Sequence, residues 1–227
     1  MVAKVVTVFN QKGGSGKTLV SMQLAGTMGL RGYAVLLVDM DPQGTASRWY
    51  SAAREGDDFP ASVISLAPME GQMHREVKNQ LDKYDVIFID CPPALNSAVP
   101  TSAMLVSDLA LIPVVPAPAD IWAAEAAKRL AESAQVRNES LLIRVVPNMV
   151  QRSTSLARDL LEVMAEDVKF PVTASRFGSR SAYRECQIMG ATVHSVPRAQ
   201  IAIEEVEAMT DEVLGLLGLK FRKGVKK

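Results

Sequence analysis

A short apolar run, Lys4-Val5-Val6-Thr7-Val8-Phe9, passes directly into Lys12-Gly13-Gly14-Ser15-Gly16-Lys17-Thr18. A strand that runs into a glycine-rich loop and reopens as a helix restricts the fold more than any other feature of the chain. Three glycines within four positions let consecutive backbone N–H groups turn around an anion, and a helix opening near Lys17 adds the positive end of its dipole. Lys17 then supplies a point charge for the β and γ phosphates of a nucleotide, and Thr18 offers a hydroxyl to Mg²⁺. The general pattern G-x-x-x-x-G-K-[ST] is not met in full, because Gln11 stands at its first glycine. The form present is K-G-G-x-G-K-[ST].

Beyond the loop, short runs rich in Val and Ile alternate with longer segments of helical period, which is the pattern of βα units in a parallel sheet covered on both faces. The runs are Val5–Phe9, Ala34–Val38, Val63–Leu66, Val86–Ile89, Leu109–Val115 and Leu141–Val146. Helices are expected over Thr18–Leu30, ended by Arg31-Gly32, and over Asp120–Ala134 with Asp120 at the N-cap. A further helix starts at Ser153 or Thr154, and the last covers roughly Arg198 to Leu217. Ile201, Val206, Met209, Val213, Leu216 and Leu217 of that last helix are expected on the body of the fold. The expected fold class is therefore an α/β P-loop NTPase with a mostly parallel twisted sheet. At 227 residues and 48% hydrophobic content, one domain over residues 1–219 with a basic tail at 220–227 is the default.

Two acidic motifs sit where such a sheet places its ligands, at the carboxyl ends of strands. The second run closes on Asp39-Met40-Asp41-Pro42-Gln43-Gly44, and the fourth on Asp90-Cys91-Pro92-Pro93. The fourth has the form of a Walker B strand, so Asp90 would hold Mg²⁺ through water, since that ion keeps much of its hydration. Read from the residues alone, an acid after a strand also serves to cap the next helix.

Together Lys12–Thr18, Asp39–Gln43 and Asp90–Pro93 resemble, in order and spacing, the ParA/MinD superfamily of deviant Walker ATPases, and the short ParA partition ATPases in particular. The resemblance runs from the phosphate loop to Val193. It implies ATP and Mg²⁺ as cofactors, with Lys12, Gly13, Gly14, Ser15, Gly16, Lys17 and Thr18 on the nucleotide. Asp41 is implied at the attacking water and Asp39 near the metal shell with Thr18 and Asp90. Lys12 is implied to reach across a homodimer, bridged by ATP, to the partner's phosphates. Asn148, at the end of Val145-Val146-Pro147, is similar to the family residue whose amide meets adenine, although a plain turn asparagine fits the sequence equally.

The 25 basic and 25 acidic residues cancel, so only local charge clusters speak for nucleic acid. Arg176, Arg180 and Arg184 lie at spacing four without an acid until Glu185, and the tail contains Lys220, Arg222, Lys223, Lys226 and Lys227. In ParA-like ATPases the arginine region carries DNA contacts, which would meet phosphates without reading bases. A solvated face paired with neighbouring acids is the alternative. The resemblance implies a cytoplasmic protein, nucleoid-associated when ATP-bound, with a cargo-bound adaptor of the ParB type that stimulates hydrolysis. No N-terminal helix-turn-helix extension and no stable membrane association are expected. A MinD-like membrane ATPase is the nearest rival, and an electron carrier of the nitrogenase-reductase kind is disfavoured by the placing of Cys91 and Cys186. Those two cysteines are expected as buried thiols.

Overall fold

The computed structural model describes residues 2–93, 97–151 and 155–222. Six strands form one sheet: β1 (Lys4–Val8), β2 (Val35–Asp39), β3 (Ser62–Ser65), β4 (Val86–Asp90), β5 (Leu109–Val114) and β6 (Leu142–Pro147). Their order is β3-β2-β4-β1-β5-β6, and every neighbouring pair is parallel. The α/β class and all six expected runs are therefore observed, each within about two residues of its expected ends. Register sets Val8 and Asp39 on either side of Asp90, so the ends of β1, β2 and β4 lie level at one edge.

Alternate residues of each strand feed two cores. Val6, Val8, Leu37, Phe88 and Leu111 pack with α1 (Lys17–Leu30), α2 (Thr45–Ser51), α7 (Ala182–Ile188) and α8 (Gln200–Leu216). Val5, Leu36, Val38, Ile87, Ile89 and Ile112 pack with α3 (Met73–Lys78), α4 (Val99–Met104) and α5 (Pro118–Gln135). Fully burying one such side chain contributes roughly 1.5–3 kcal/mol. Leu24, Met28, Val206, Met209 and Val213, all at 0% exposure, therefore fix α1, and with it the phosphate loop, against the sheet.

Two expectations need correction. Asp120 is not an N-cap: α5 begins at Pro118 after Ala117, and Asp120 lies in its first turn. Proline, pre-set in φ and lacking an N–H, takes the first helical position instead. Ile201 is 49% exposed rather than docked, because it falls outside the face made by Ala202, Val206, Met209 and Val213. The spacing of four among Arg176, Arg180 and Arg184 does not put them on one helix, since α7 starts only at Ala182 and the first two lie in the preceding loop. Nor is that segment free of acid, for α8 brings Glu205 against Arg180. The caps expected at Ser153 or Thr154 lie outside the described residues, although α6 (Ser155–Ala165) follows them. Both cysteines are buried, as expected.

Candidate functional site

The phosphate loop is fastened through the backbone of Lys12. Its N–H donates to Asn10 Oδ1 at 3.0 Å, and Asn10 Nδ2 donates to the Pro113 carbonyl at the end of β5 at 2.8 Å. The Lys12 carbonyl accepts from Ser15 Oγ at 3.3 Å and from Lys17 Nζ at 3.1 Å. Gly14 and Gly16 hold φ at 77° and 84°, the left-handed turns that build an anion-binding concavity. A side chain at Gly16 is excluded for a second reason, because its Cβ would stand 2.1 Å from Asn148 Nδ2.

Asn148 is fully buried, and its amide donates to the Ser15 carbonyl at 2.8 Å while its Oδ1 accepts from Met149 N at 2.9 Å. The side chain thus braces the loop from β6. An adenine contact through the same amide would use its second N–H, since Ser15 engages one of the two.

Lys17 is 6% exposed. Burial pushes its ammonium down from the usual lysine range, and Asp90 is the first of the groups that pull it back. Three donors on one ammonium, with a single acceptor at the loop among the described residues, fit a bound polyphosphate. Thr18 Oγ1 donates to Asp90 Oδ2 at 2.7 Å and Ser21 Oγ to Asp90 Oδ1 at 3.1 Å. Burial pushes Asp90 up to about 7, with the neighbouring Asp39 carboxylate adding to it, against the pull of Thr18, Ser21 and Lys17. A carboxylate so costly to ionise, touching a hydroxyl at the mouth of a phosphate loop, suits a divalent cation. Among the described residues no three or more His, Cys, Asp or Glu cluster as a metal cage. Mg²⁺ does not require one, since it keeps several waters.

Asp39, also fully buried, lies beside Asp90 in the register of the sheet and is bonded toward α2. Its Oδ2 accepts from Ser47 N at 2.9 Å and Ser47 Oγ at 2.8 Å, and its Oδ1 from Asp41 N at 3.1 Å. It therefore ties the loop after β2 to the first turn of α2. Asp41 Oδ1 accepts from Gln43 N at 2.9 Å. Asp41, Pro42, Gln43, Pro92 and Pro93 line a cleft of about 610 Å³ together with Glu70, Ser97 and Val99. Ser21, Ser47 and Asn10 complete this machinery without having been signalled by any motif.

The basic candidates separate into two kinds. Arg176, Arg184, Lys220 and Arg222 are exposed, whereas Lys223 lies outside the described residues. Arg222 stacks on the Tyr33 ring at 4.3 Å and pairs with Asp85 at 3.2 Å, on the sheet edge opposite the phosphate loop. Arg180 instead grips Glu205, with Nη2 to Oε1 at 2.6 Å and Nε to Oε2 at 3.0 Å. Gly178 N and Tyr183 Oη donate to the same carboxylate at 3.0 and 3.1 Å. Burial alone would raise Glu205; the Arg180 guanidinium, the Gly178 N–H and the Tyr183 hydroxyl together outweigh it and hold the carboxyl below the ordinary range. Arg180→Ala is therefore expected to destabilise the fold by about 2–3 kcal/mol, because it removes the cation and two of the hydrogen bonds from a carboxylate whose side chain is only 5% exposed. A urea titration reads this, and an unmoved midpoint would mean that the pair holds nothing.

Comparison with known proteins gives a consistent picture. The family model for the CobQ/CobB/MinD/ParA nucleotide binding domain matches residues 6–177. The maintenance of carboxysome distribution protein A of Halothiobacillus neapolitanus is 31% identical over 214 residues, covering 93% of this chain and 97% of that one. Among solved structures, the ATP complex of a Cyanothece McdA variant superposes with a TM-score of 0.76 at 15% identity, over 97% of this chain and 98% of the other. A cobyrinic acid a,c-diamide synthase from Mycobacterium smegmatis, with bound ATP analogue and magnesium, also reaches 0.76 at 21% identity, over 94% of each chain.

Proposed function

The chain belongs to the CobQ/CobB/MinD/ParA nucleotide-binding family and is an ATPase that uses Mg²⁺; from this premise we propose that it is an ATP-switched dimer that positions a cargo by binding DNA without sequence preference. The observation that carries this reading is the match, along nearly the whole length of both chains, to a carboxysome distribution protein. A protein-built cargo therefore stands ahead of a plasmid or chromosome, and the adaptor that couples to it need not be of the ParB type.

In this reading the loop from Lys12 to Thr18 binds the phosphates, and Lys17 places its ammonium between them. Thr18 and Asp90 would hold Mg²⁺, which neutralises charge on the phosphates. Asp39, through Ser47 and the backbone of Asp41, keeps the second loop in place. Asp41 orients the attacking water from the cleft wall. Lys12 reaches the phosphates of the second subunit. Asn148 acts from beneath, by fixing Ser15.

Arg176, Arg184, Lys220 and Arg222 supply the DNA surface, and Arg180 supports it through Glu205. The rival membrane reading would need a helix continuing into the tail. The α8 helix closes instead: Gly218 turns left-handed at φ 66°, Leu219 N bonds back to the Leu214 carbonyl, and Leu214 and Leu217 are buried. No helix among the described residues is long and apolar enough to cross a membrane.

DNA binding is expected to need ATP and to fall steeply with salt, with about one unit lost from the salt slope for each phosphate-contacting side chain removed. Co-sedimentation with two unrelated DNA sequences and with anionic liposomes, in ATP and in ADP, tests this. A flat salt response, or ATP-dependent capture by liposomes and not by DNA, would contradict the proposal.

A further inference from the structure

The Lys12 side chain does not lie over its own phosphate loop. Its ammonium pairs with Asp120 in the first turn of α5, Nζ to Oδ1 at 2.7 Å, with the side chains 39% and 17% exposed. The backbone of Lys12 is held at both its N–H and its carbonyl, so only the four-carbon stem is free to choose a partner. Asp120 has no such freedom. Its N–H donates to the Ala117 carbonyl at 3.0 Å, and Ala124, Ala127, Ala131 and Ala134 bury α5 against the sheet. A carboxylate in the first turn of a helix is also stabilised where it stands by the helix dipole. One partner can swing and the other cannot.

We propose that Asp120 is a latch on Lys12: in the single subunit it parks the lysine at home, and formation of the ATP-bridged dimer requires the lysine to leave it for the phosphates of the second subunit. This rests on the cross-subunit role given to Lys12 above. A partly exposed ion pair shifts an equilibrium by no more than about fivefold, and a two-fold symmetric dimer breaks two of them, so the latch weakens dimerisation by up to about 25-fold. A nucleoside triphosphate, carrying more charge than one carboxylate, still wins. The latch thus sets the threshold for pairing and does not forbid it. Its strength falls with salt, since the pair is solvent-facing.

The test is the dimer dissociation constant, by analytical ultracentrifugation with a slowly hydrolysed ATP analogue, for wild type, Asp120→Asn, Asp120→Glu and Lys12→Ala. Asp120→Asn is expected to tighten the dimer by roughly two- to 25-fold, with the gain shrinking as salt rises, and to stay monomeric in ADP. Asp120→Glu keeps the charge and is expected near wild type. A dimer in Asp120→Asn that is unchanged or weaker, or an equal gain in Asp120→Glu, overturns the latch. Lys12→Ala separates the two claims. If it dimerises like wild type, the cross-subunit reading itself fails; if it loses the dimer while Asp120→Asn gains nothing, only the latch fails.

Discussion

Lys17→Ala is expected to weaken ATP binding by about 10²- to 10³-fold. The ammonium is nearly buried, so its hydrogen bonds to phosphate form in a poorly solvated site, where a charge-assisted bond contributes about 1.5–3 kcal/mol and an ammonium makes more than one. The substitution also removes the cation that offsets Asp90, so that buried acid loses its counter-charge as the ligand loses its anchor. Isothermal calorimetry with ATP and Mg²⁺ measures the loss. Wild-type affinity in the mutant would show that the loop from Lys12 to Thr18 is not the phosphate site.

The second large effect is expected on turnover and not on binding. Asp41 sits on the wall of the cleft, one carboxylate oxygen bonded to Gln43 N and the other without a hydrogen bond among the described residues. A group that orients water acts in the transition state and far less in the ground state, so Asp41→Ala should lower the hydrolysis rate by about 10²-fold or more with ATP affinity nearly unchanged. The contrast with Asp39 is instructive. Asp39 makes three hydrogen bonds to Ser47 and Asp41, so its loss would disorganise the loop that carries Asp41. Phosphate release under saturating ATP distinguishes the roles, and a wild-type rate in Asp41→Ala would leave Asp41 as a turn residue only.

Much of this architecture is written locally in the chain. The strands β2, β4 and β5 are runs of five or six residues in which both faces are buried, so hydrophobicity alone marks them, whereas β3, four residues at the sheet edge, has no buried position. The phosphate loop is marked by glycines that its left-handed turns require at Gly14 and Gly16. The acids at Asp39 and Asp90 are marked by falling at strand ends. What the chain conceals is contact across distance. Thr18 and Ser21 meet Asp90 about seventy positions later, Lys12 meets Asp120, and Arg180, in the loop before α7, meets Glu205 of α8. None of these pairs has a spacing that a repeat could betray. Nor do the short helices α2, α3, α4 and α7, of six or seven residues, offer enough turns for an apolar period to show. Asn148 illustrates a third limit: its position after β6 is legible, but that its amide faces the Ser15 carbonyl is a property of the folded loop.

The central claim is that ATP, held at Lys17 and reached by Lys12 from a second subunit, joins two copies of the chain. Light scattering on the wild type with a slowly hydrolysed ATP analogue, and on Asp41→Ala with ATP itself, tests it most directly. The account predicts a single species at twice the 24.5 kDa chain mass in both samples, and a monomer in ADP. A mass that is the same in ATP analogue and in ADP, at protein concentrations where nucleotide is bound, would contradict it.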